Sequence, residues 1–506
     1  MNQKPGIPKN IILVLLLPLL MNWTYTSLYG QVKPDFLLSE SSLFPSLNVD
    51  NMGNVHAVWT LRRQDSLLQT TDSISYAIYD SLFRAVKAPQ KISEQWYSAM
   101  YNPCIAIGNN AVLIIWEEQI IYDIFTSYIF GQLMTLDGQR IYGNFMINEP
   151  MSKRLRIFPN VANLNDSTFF VVWSGWGDRT IGYYGVYGRM IADKPQPMSD
   201  IIYISDDTTE TNNFPASVAS NSKSNHFVVA WLKNPFSAES QVLYRQYTKD
   251  GIPASDPLKV NEREDFSQMW GPDVVMDGTG NFLIVWSAEV DSVWGIYIRR
   301  FNSAGMPQGI SEQISHIKVV RNSNVYISMD DEQRCVIAWE GRQEGLSRIY
   351  AQRFSQNHTA LGENFKISSS PDTTSHFNHC IVFRNGKIYT AWPAWHSVPD
   401  IWANIIDFNN PPPFANDDIN TFSLYQNFPN PFNLKTLIRY DLPVNAYVEI
   451  TVYDLLGRRV KTLTKGLEPA GSNAISFEAE GLSSGLYFYR MKANEFNKVK
   501  KMIILK

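Results

Sequence analysis

Hydrolysis of a glycosidic bond needs two carboxyl groups aimed at one bond, and the propeller repeats carry paired carboxylates near loop starts at Glu117-Glu118, Asp206-Asp207 and Asp330-Asp331. Consecutive residues of a strand point to opposite faces, so none of the three makes an acid/base pair. They read as solvated or turn-capping carboxylates. His376 and His379 are the close histidine pair, but no third ligand stands near them in sequence, and no metal site or cofactor is expected. Cys104, Cys335 and Cys380 are too scattered for a disulfide framework and read as buried thiols. No phosphate-cradling glycine loop, nucleophile elbow or zinc motif occurs. What remains is a set of aromatic residues in polar stretches: Trp96, Tyr97, Tyr101, Trp176, Trp270, Phe377, Trp395 and His396. Near them stand Glu118, Asp123, Asp178, Arg179, Asp291, Arg342 and Glu344 as polar partners. Flat rings beside carboxylates and guanidinium groups suit sugar recognition as a set, although each ring taken singly is better explained by packing.

Those stretches belong to a repeat. Seven tryptophans (Trp59, Trp116, Trp173, Trp231, Trp286, Trp339 and Trp392) recur at spacings of 57, 57, 58, 55, 53 and 53 residues, each ending an apolar run such as Phe282–Trp286. In five repeats a proline stands 13 to 16 residues upstream (Pro45, Pro103, Pro159, Pro215 and Pro272), with an Asp/Asn/Gly turn between. That is a hairpin. A third strand rich in Tyr, Ile and Arg follows, then a fourth ending in Ile/Val-Ser/Asn-Glu/Asp, as in Ile92-Ser93-Glu94 and Val260-Asn261-Glu262. Four short strands in roughly 55 residues, repeated seven times, predict a seven-bladed β-propeller over residues 31–410. The second strands are apolar on both faces, as a blade packed between two neighbours requires, which makes the seven tryptophans interblade core. Repeat seven lacks a fourth strand, whereas Phe36-Leu37-Leu38-Ser39-Glu40 is a surplus copy of one. The expectation is that residues 36–40 complete the last blade beside residues 401–407.

Outside the repeat the chain changes character. Residues 1–30, with Lys4 and Lys9 ahead of the apolar run Ile11–Met21, read as a signal peptide too short to span a bilayer, leaving no transmembrane segment in the mature chain. Residues 411–421 open with Pro411-Pro412-Pro413, a stiff linker. Residues 421–506 carry 12 Lys+Arg against 7 Asp+Glu, leaving 32 against 41 for residues 1–420. The acidic larger part has no basic stripe and excludes nucleic-acid binding on electrostatic grounds. Five strand-like segments separated by turns in residues 422–506 predict a small immunoglobulin-like β-sandwich, so the whole chain is all-β.

The final segment carries Tyr425-Gln426-Asn427-Phe428-Pro429-Asn430-Pro431-Phe432-Asn433, then Val452-Tyr453-Asp454-Leu455-Leu456-Gly457, then Gly485-Leu486-Tyr487-Phe488-Tyr489 and a Lys-rich finish at Lys500. It resembles the type A C-terminal sorting domain of the type IX secretion system of Bacteroidetes and their relatives, departing from it at Leu434, where the family has a second Asn-Pro. The resemblance implies export through the periplasm to the cell surface or medium, with the secretion machinery as partner. For the propeller, a sialidase-like enzyme is expected to show Asp-box turns; Asp277-Gly278-Thr279-Gly280 comes nearest, but Trp286 lies nine residues beyond Asp277, on a strand. The sequence reading is therefore a non-catalytic platform for a polysaccharide or a surface protein, against the alternative of a glycan-active hydrolase or lyase.

Overall fold

The computed structural model describes residues 35–505 apart from 65–69, 95–97, 121–125, 150–153, 177–182, 195–197, 206–210, 236, 264, 344–345, 369–373, 396–398, 413–421, 428–429 and 470. The segment read as a signal peptide lies outside the described residues. The protein is all-β: a seven-bladed propeller followed by a two-sheet sandwich. Each blade is a four-stranded antiparallel meander. Blade 2 is representative, with Ser98–Ile107 innermost, then Val112–Ile120, Ser127–Met134 and Arg140–Met146.

The seven inner strands start at Ser42, Ser98, Arg156, Asn213, Gln268, Val325 and Cys380, and each packs against the next, the seventh against the first. Apolar burial follows the same ring. Seven core clusters each combine residues of two adjacent blades, as Val58 and Tyr76 of blade 1 do with Met100 and Trp116 of blade 2. The seven tryptophans sit inside these clusters at 0–1% exposure. The second strand of a blade must therefore be apolar on both faces, because each face meets a neighbouring sheet. Blade 7 supplies three strands of its own, Cys380–Arg384, Lys387–Ala394 and Asp400–Asp407; its fourth is Phe36–Ser39, antiparallel to the third with Phe36 opposite Ala403.

Three of the seven turns joining inner to second strands share one device. In Asp50–Asn54, Asp277–Asn281 and Asp330–Arg334 the first aspartate accepts the backbone N–H groups two and four residues on. Asp277 is thus a turn former, which accounts for its sequence context without catalysis.

In the sandwich, Ser423–Leu424, Lys435–Leu442 and Gly471–Glu478 form one sheet; Arg459–Glu468, Ala446–Tyr453, Gly485–Ala493 and Phe496–Ile504 form the other. The conspicuous sequence motifs of this segment are structural. Asn427 is buried, its N–H donating to the Tyr489 hydroxyl at 2.7 Å and its side-chain amide to Thr436 Oγ1 at 3.0 Å. Asn430 Oδ1 accepts the Ile503 N–H at 2.8 Å, and Phe432 pairs with the last strand while its ring meets Phe477. Pro431 stands between them, Pro429 lies outside the described residues, and Tyr487 bonds back to the Ser483 carbonyl. Asp454 forms the same capped turn as the propeller aspartates, with Gly457 at φ 74° where a side chain is strained. Gly485 opens the sixth of the domain's seven strands and Lys500 sits on the last. The motif therefore staples the start of the domain to its end.

Candidate functional site

The ring encloses a central channel with a cavity of about 600 Å3, and its lining comes from the same stretch of all seven inner strands. In blades 1 to 5 the strand breaks register at its Xaa-Pro dipeptide, so that one extra residue bulges toward the axis. Pro cannot donate to the ladder, which is why the bulge falls there. The residue before the proline is left-handed at Phe44 (φ 51°), Asn102 (φ 48°), Phe158 (φ 52°) and Gly271 (φ 37°), and Asn378 (φ 45°) matches them in blade 7, where His379 replaces proline. Asparagine and glycine tolerate this conformation; phenylalanine before proline does so at a cost of order ~1–3 kcal/mol. The bulges are thus strained at the end of the channel where the inner strands begin.

Two kinds of side chain result. Phe158 and Phe214 stack 6.1 Å apart at 11°, and Trp270 meets both edge-on at 6.5 and 6.3 Å. Opposite this aromatic arc lie amides. Trp270 Nε1–H donates to Asn324 Oδ1 at 3.0 Å, and Asn324 Nδ2 donates to Asn378 Oδ1 at 3.0 Å. Asn102 completes the set beside Phe44, whose ring touches Tyr101.

The carboxyl groups of this region are committed to architecture. Glu117 of blade 2 is buried behind its bulge, accepting from Asn102 Nδ2 at 3.4 Å and from the Phe158 backbone N–H of blade 3; burial pushes its carboxyl up to about 8. Glu340 of blade 6 accepts the Asn378 N–H of blade 7 at 2.8 Å and is raised by burial to about 7. Asp273 lines the channel, yet it bridges three blades through Ser217 Oγ (2.6 Å), the Ile327 N–H (2.9 Å) and its own Val274 N–H (3.0 Å), and burial raises it too. His379 is 1% exposed, edge-on to Tyr326, and has no partner of hydrogen-bond geometry at either ring nitrogen; the Ala338 backbone offsets little of the burial that lowers it to about 4. His376 bonds Ser368 Oγ instead, so the two histidines do not converge. Among the described residues no cluster of three or more His, Cys, Asp or Glu is arranged to hold a metal ion.

Of the residues singled out in the sequence as ligand contacts, Trp270 alone lines the channel. Trp96, Tyr97, Asp123, Asp178, Arg179, Glu344 and His396 lie outside the described residues. Trp176 ends the second strand of blade 3, its N–H bonded to the Leu155 carbonyl, away from the lining. Trp395 is half-exposed against Phe377. Arg342 is an exposed strand residue whose N–H bonds the Lys318 carbonyl. Asp291 belongs not to a long loop but to a two-residue turn with Ser292, beside Asn427, Asn430 and Lys500 of the sandwich. Glu118 is not a ligand group: it is buried and accepts from Ser98 Oγ and Trp116 Nε1. The residues missed are Phe44, Asn102, Phe158, Asn324 and Asn378 of the lining, and Phe214, whose ring stacks on Phe158. Four of them directly precede a repeat proline, and that proline was the available signal.

Residues 426–505 match the family model described as the secretion system C-terminal sorting domain. No curated protein matches the chain by sequence. Among solved structures, an α-L-arabinanase of Penicillium chrysogenum complexed with arabinobiose superposes at TM-score 0.43 and 10% identity, covering 75% of this chain and 99% of that one. The NanB sialidase of Streptococcus pneumoniae gives 0.40 and 10%, covering 75% and 70%, and a polysaccharide lyase gives 0.44 and 9%, covering 72% and 89%. The chain thus carries a type IX sorting domain, which directs export to the cell surface or extracellular space. Among the described residues no helix is long and apolar enough to cross a membrane.

Proposed function

We propose that the propeller of this exported protein is a non-catalytic glycan-binding platform, reached by a signal peptide and passage through the periplasm, and that its ligand sits at the channel end formed by the bulges. The observation that carries this is the placement of Phe158, Phe214 and Trp270 beside Asn324 and Asn378 at the bulges of the inner strands, with Glu117 and Glu340 buried. Rings stack on the apolar faces of sugars and amides pair with hydroxyls. A hydrolase needs two carboxyl groups open to the bond being cut, and Asp273 is the single carboxylate of the described lining.

The test is to incubate the full chain with a panel of immobilised polysaccharides, measuring retention and soluble products together. Retention without product is expected. Release of oligosaccharides, abolished in Asp273→Asn, instead makes the protein a glycan-active enzyme; no retention on any glycan removes the reading.

A further inference from the structure

The amides at the channel end are not free to orient, and their order has a consequence for the ligand. An indole nitrogen only donates, so Asn324 must turn its oxygen to Trp270. Its nitrogen then faces Asn378, which must answer with its oxygen. Asn378 Nδ2 is left at the end of this relay across blades 5, 6 and 7 with no acceptor among the described residues. The neighbouring Asn322 Oδ1 is a buried acceptor without a donor, and lines the same cavity. His379, almost wholly buried there, has both ring nitrogens unpaired and is held neutral by burial. The site therefore offers donors and acceptors together. Among its described lining residues there is no Lys or Arg, and the one formal charge, Asp273, is negative.

Resting on the reading of the channel as a glycan site, we propose that it selects neutral saccharides and rejects anionic ones. A hydroxyl donates and accepts at once and so satisfies both Asn378 Nδ2 and Asn322 Oδ1, while the Phe158, Phe214 and Trp270 rings take the apolar face of the same sugar. The carboxylate of a uronate, or a sulfate group, offers acceptors only. It meets an unpaired acceptor and a carboxylate in a site with no cation to compensate, and burying unpaired polar groups is what makes such discrimination large.

The experiment uses the full chain and two series of oligosaccharides matched in length: neutral gluco-, manno- and xylo-oligomers, and oligogalacturonates with sulfated oligomers. Affinity is read by calorimetry and by Trp fluorescence. Binding of at least one neutral oligomer, tenfold or more tighter than any anionic one, is expected, weakened at least tenfold by Asn378→Asp. That variant keeps the shape of the side chain but replaces the donor with an acceptor; Asn378→Gln, retaining the donor, should keep part of the affinity. Anionic oligomers binding more tightly at a site sensitive to Trp270→Ala overturns the selectivity while leaving the glycan site standing. Failure of every oligomer in both series overturns both.

Discussion

Glu117 shows how one residue serves the ring and ties its stability to pH. Its carboxyl receives the Phe158 N–H of the next blade, the contact that holds a left-handed phenylalanine in place, and in so doing it is cut off from water. Its folded-state value of about 8 stands above the ordinary 4.5, so its stabilising contribution is whole below about pH 4.5 and is lost as pH rises through 8. Glu340, at about 7, runs the same way. The buried histidines oppose them: His379 at about 4 and the lowered His56 weaken the fold as pH falls below about 6.5, where the unfolded chain takes up protons first. Above pH 6.5 the histidines cease to contribute, and Lys249, whose ammonium burial lowers to about 8, opposes the glutamates only from about pH 8 upward. Thermal unfolding of the full chain should therefore drop between pH 6.5 and 8.5, by up to about 1.4 kcal/mol per pH unit for each group. Glu117→Gln, which keeps an acceptor for Phe158 and cannot ionise, should remove the larger share of that slope. An unchanged slope in the variant excludes Glu117 as its source.

At the scale of the strand, the recurring Ile/Val-Ser/Asn signature has a single physical cause. In six blades its polar side chain accepts the backbone N–H of the residue 19 positions earlier: Ser93 from Ile74, Asn148 from Ile129, Ser205 from Val186, Asn261 from Val242, Ser315 from Ile296 and Ser368 from Ile349, at 2.7–3.1 Å. The outer strand is short, two residues in blades 3, 4 and 5, and the bond continues its pairing where the backbone ladder has ended. Asn261→Ala leaves the buried Val242 N–H without an acceptor and should cost ~1–3 kcal/mol by denaturant unfolding. Asn261→Ser should restore most of it, because serine does the same work in four other blades; equal losses in both variants refute the capping role. The repeat made the strands and this signature legible, since a hydrophobic run of fixed period has one architectural solution. The site was less so. Loop aromatics attract attention as exposed rings, but Trp395 packs at a tilt against Phe377 and Trp176 ends a strand, whereas Phe158 and Phe214 precede prolines inside what reads as core strand. Only the bulge turns them to the axis, and a register shift leaves no mark on periodicity beyond the proline itself.

At the scale of the whole molecule, a ring of blades is held by its two ends. Every other interblade seam is joined by covalent chain, but the propeller begins near Asp35 and ends near Phe408, so blade 7 is held to blade 1 by non-covalent contacts alone, those of the facing sheets and those the two ends add. Phe36–Ser39 pairs along Ile401–Ala403, the Asp35 carboxylate accepts the buried Asn404 amide at 2.8 Å, the Ser41 N–H donates to Asp400 Oδ1 at 3.0 Å and the Ser42 N–H to the Pro399 carbonyl at 2.8 Å. Phe36 and Leu38 also pack on the cluster between blades 7 and 1, with Phe36 4.9 Å from Phe83. A mature chain truncated to begin at residue 41 loses the paired strand, uncovers the apolar seam beneath it and exposes the edge of Asp400–Asp407. It should unfold at a temperature lower by ten degrees or more, with blade 7 the first to exchange its amide hydrogens. The milder Asp35→Ala, which removes one buried bond and keeps the strand, should cost only ~1–3 kcal/mol. Because closure couples all seven blades, the truncated chain should also broaden its transition from a single step into several, as an open array does when nearest-neighbour seams fail separately. A truncated chain that melts at the parent temperature, in one step, shows that the ring does not depend on the strand that closes it.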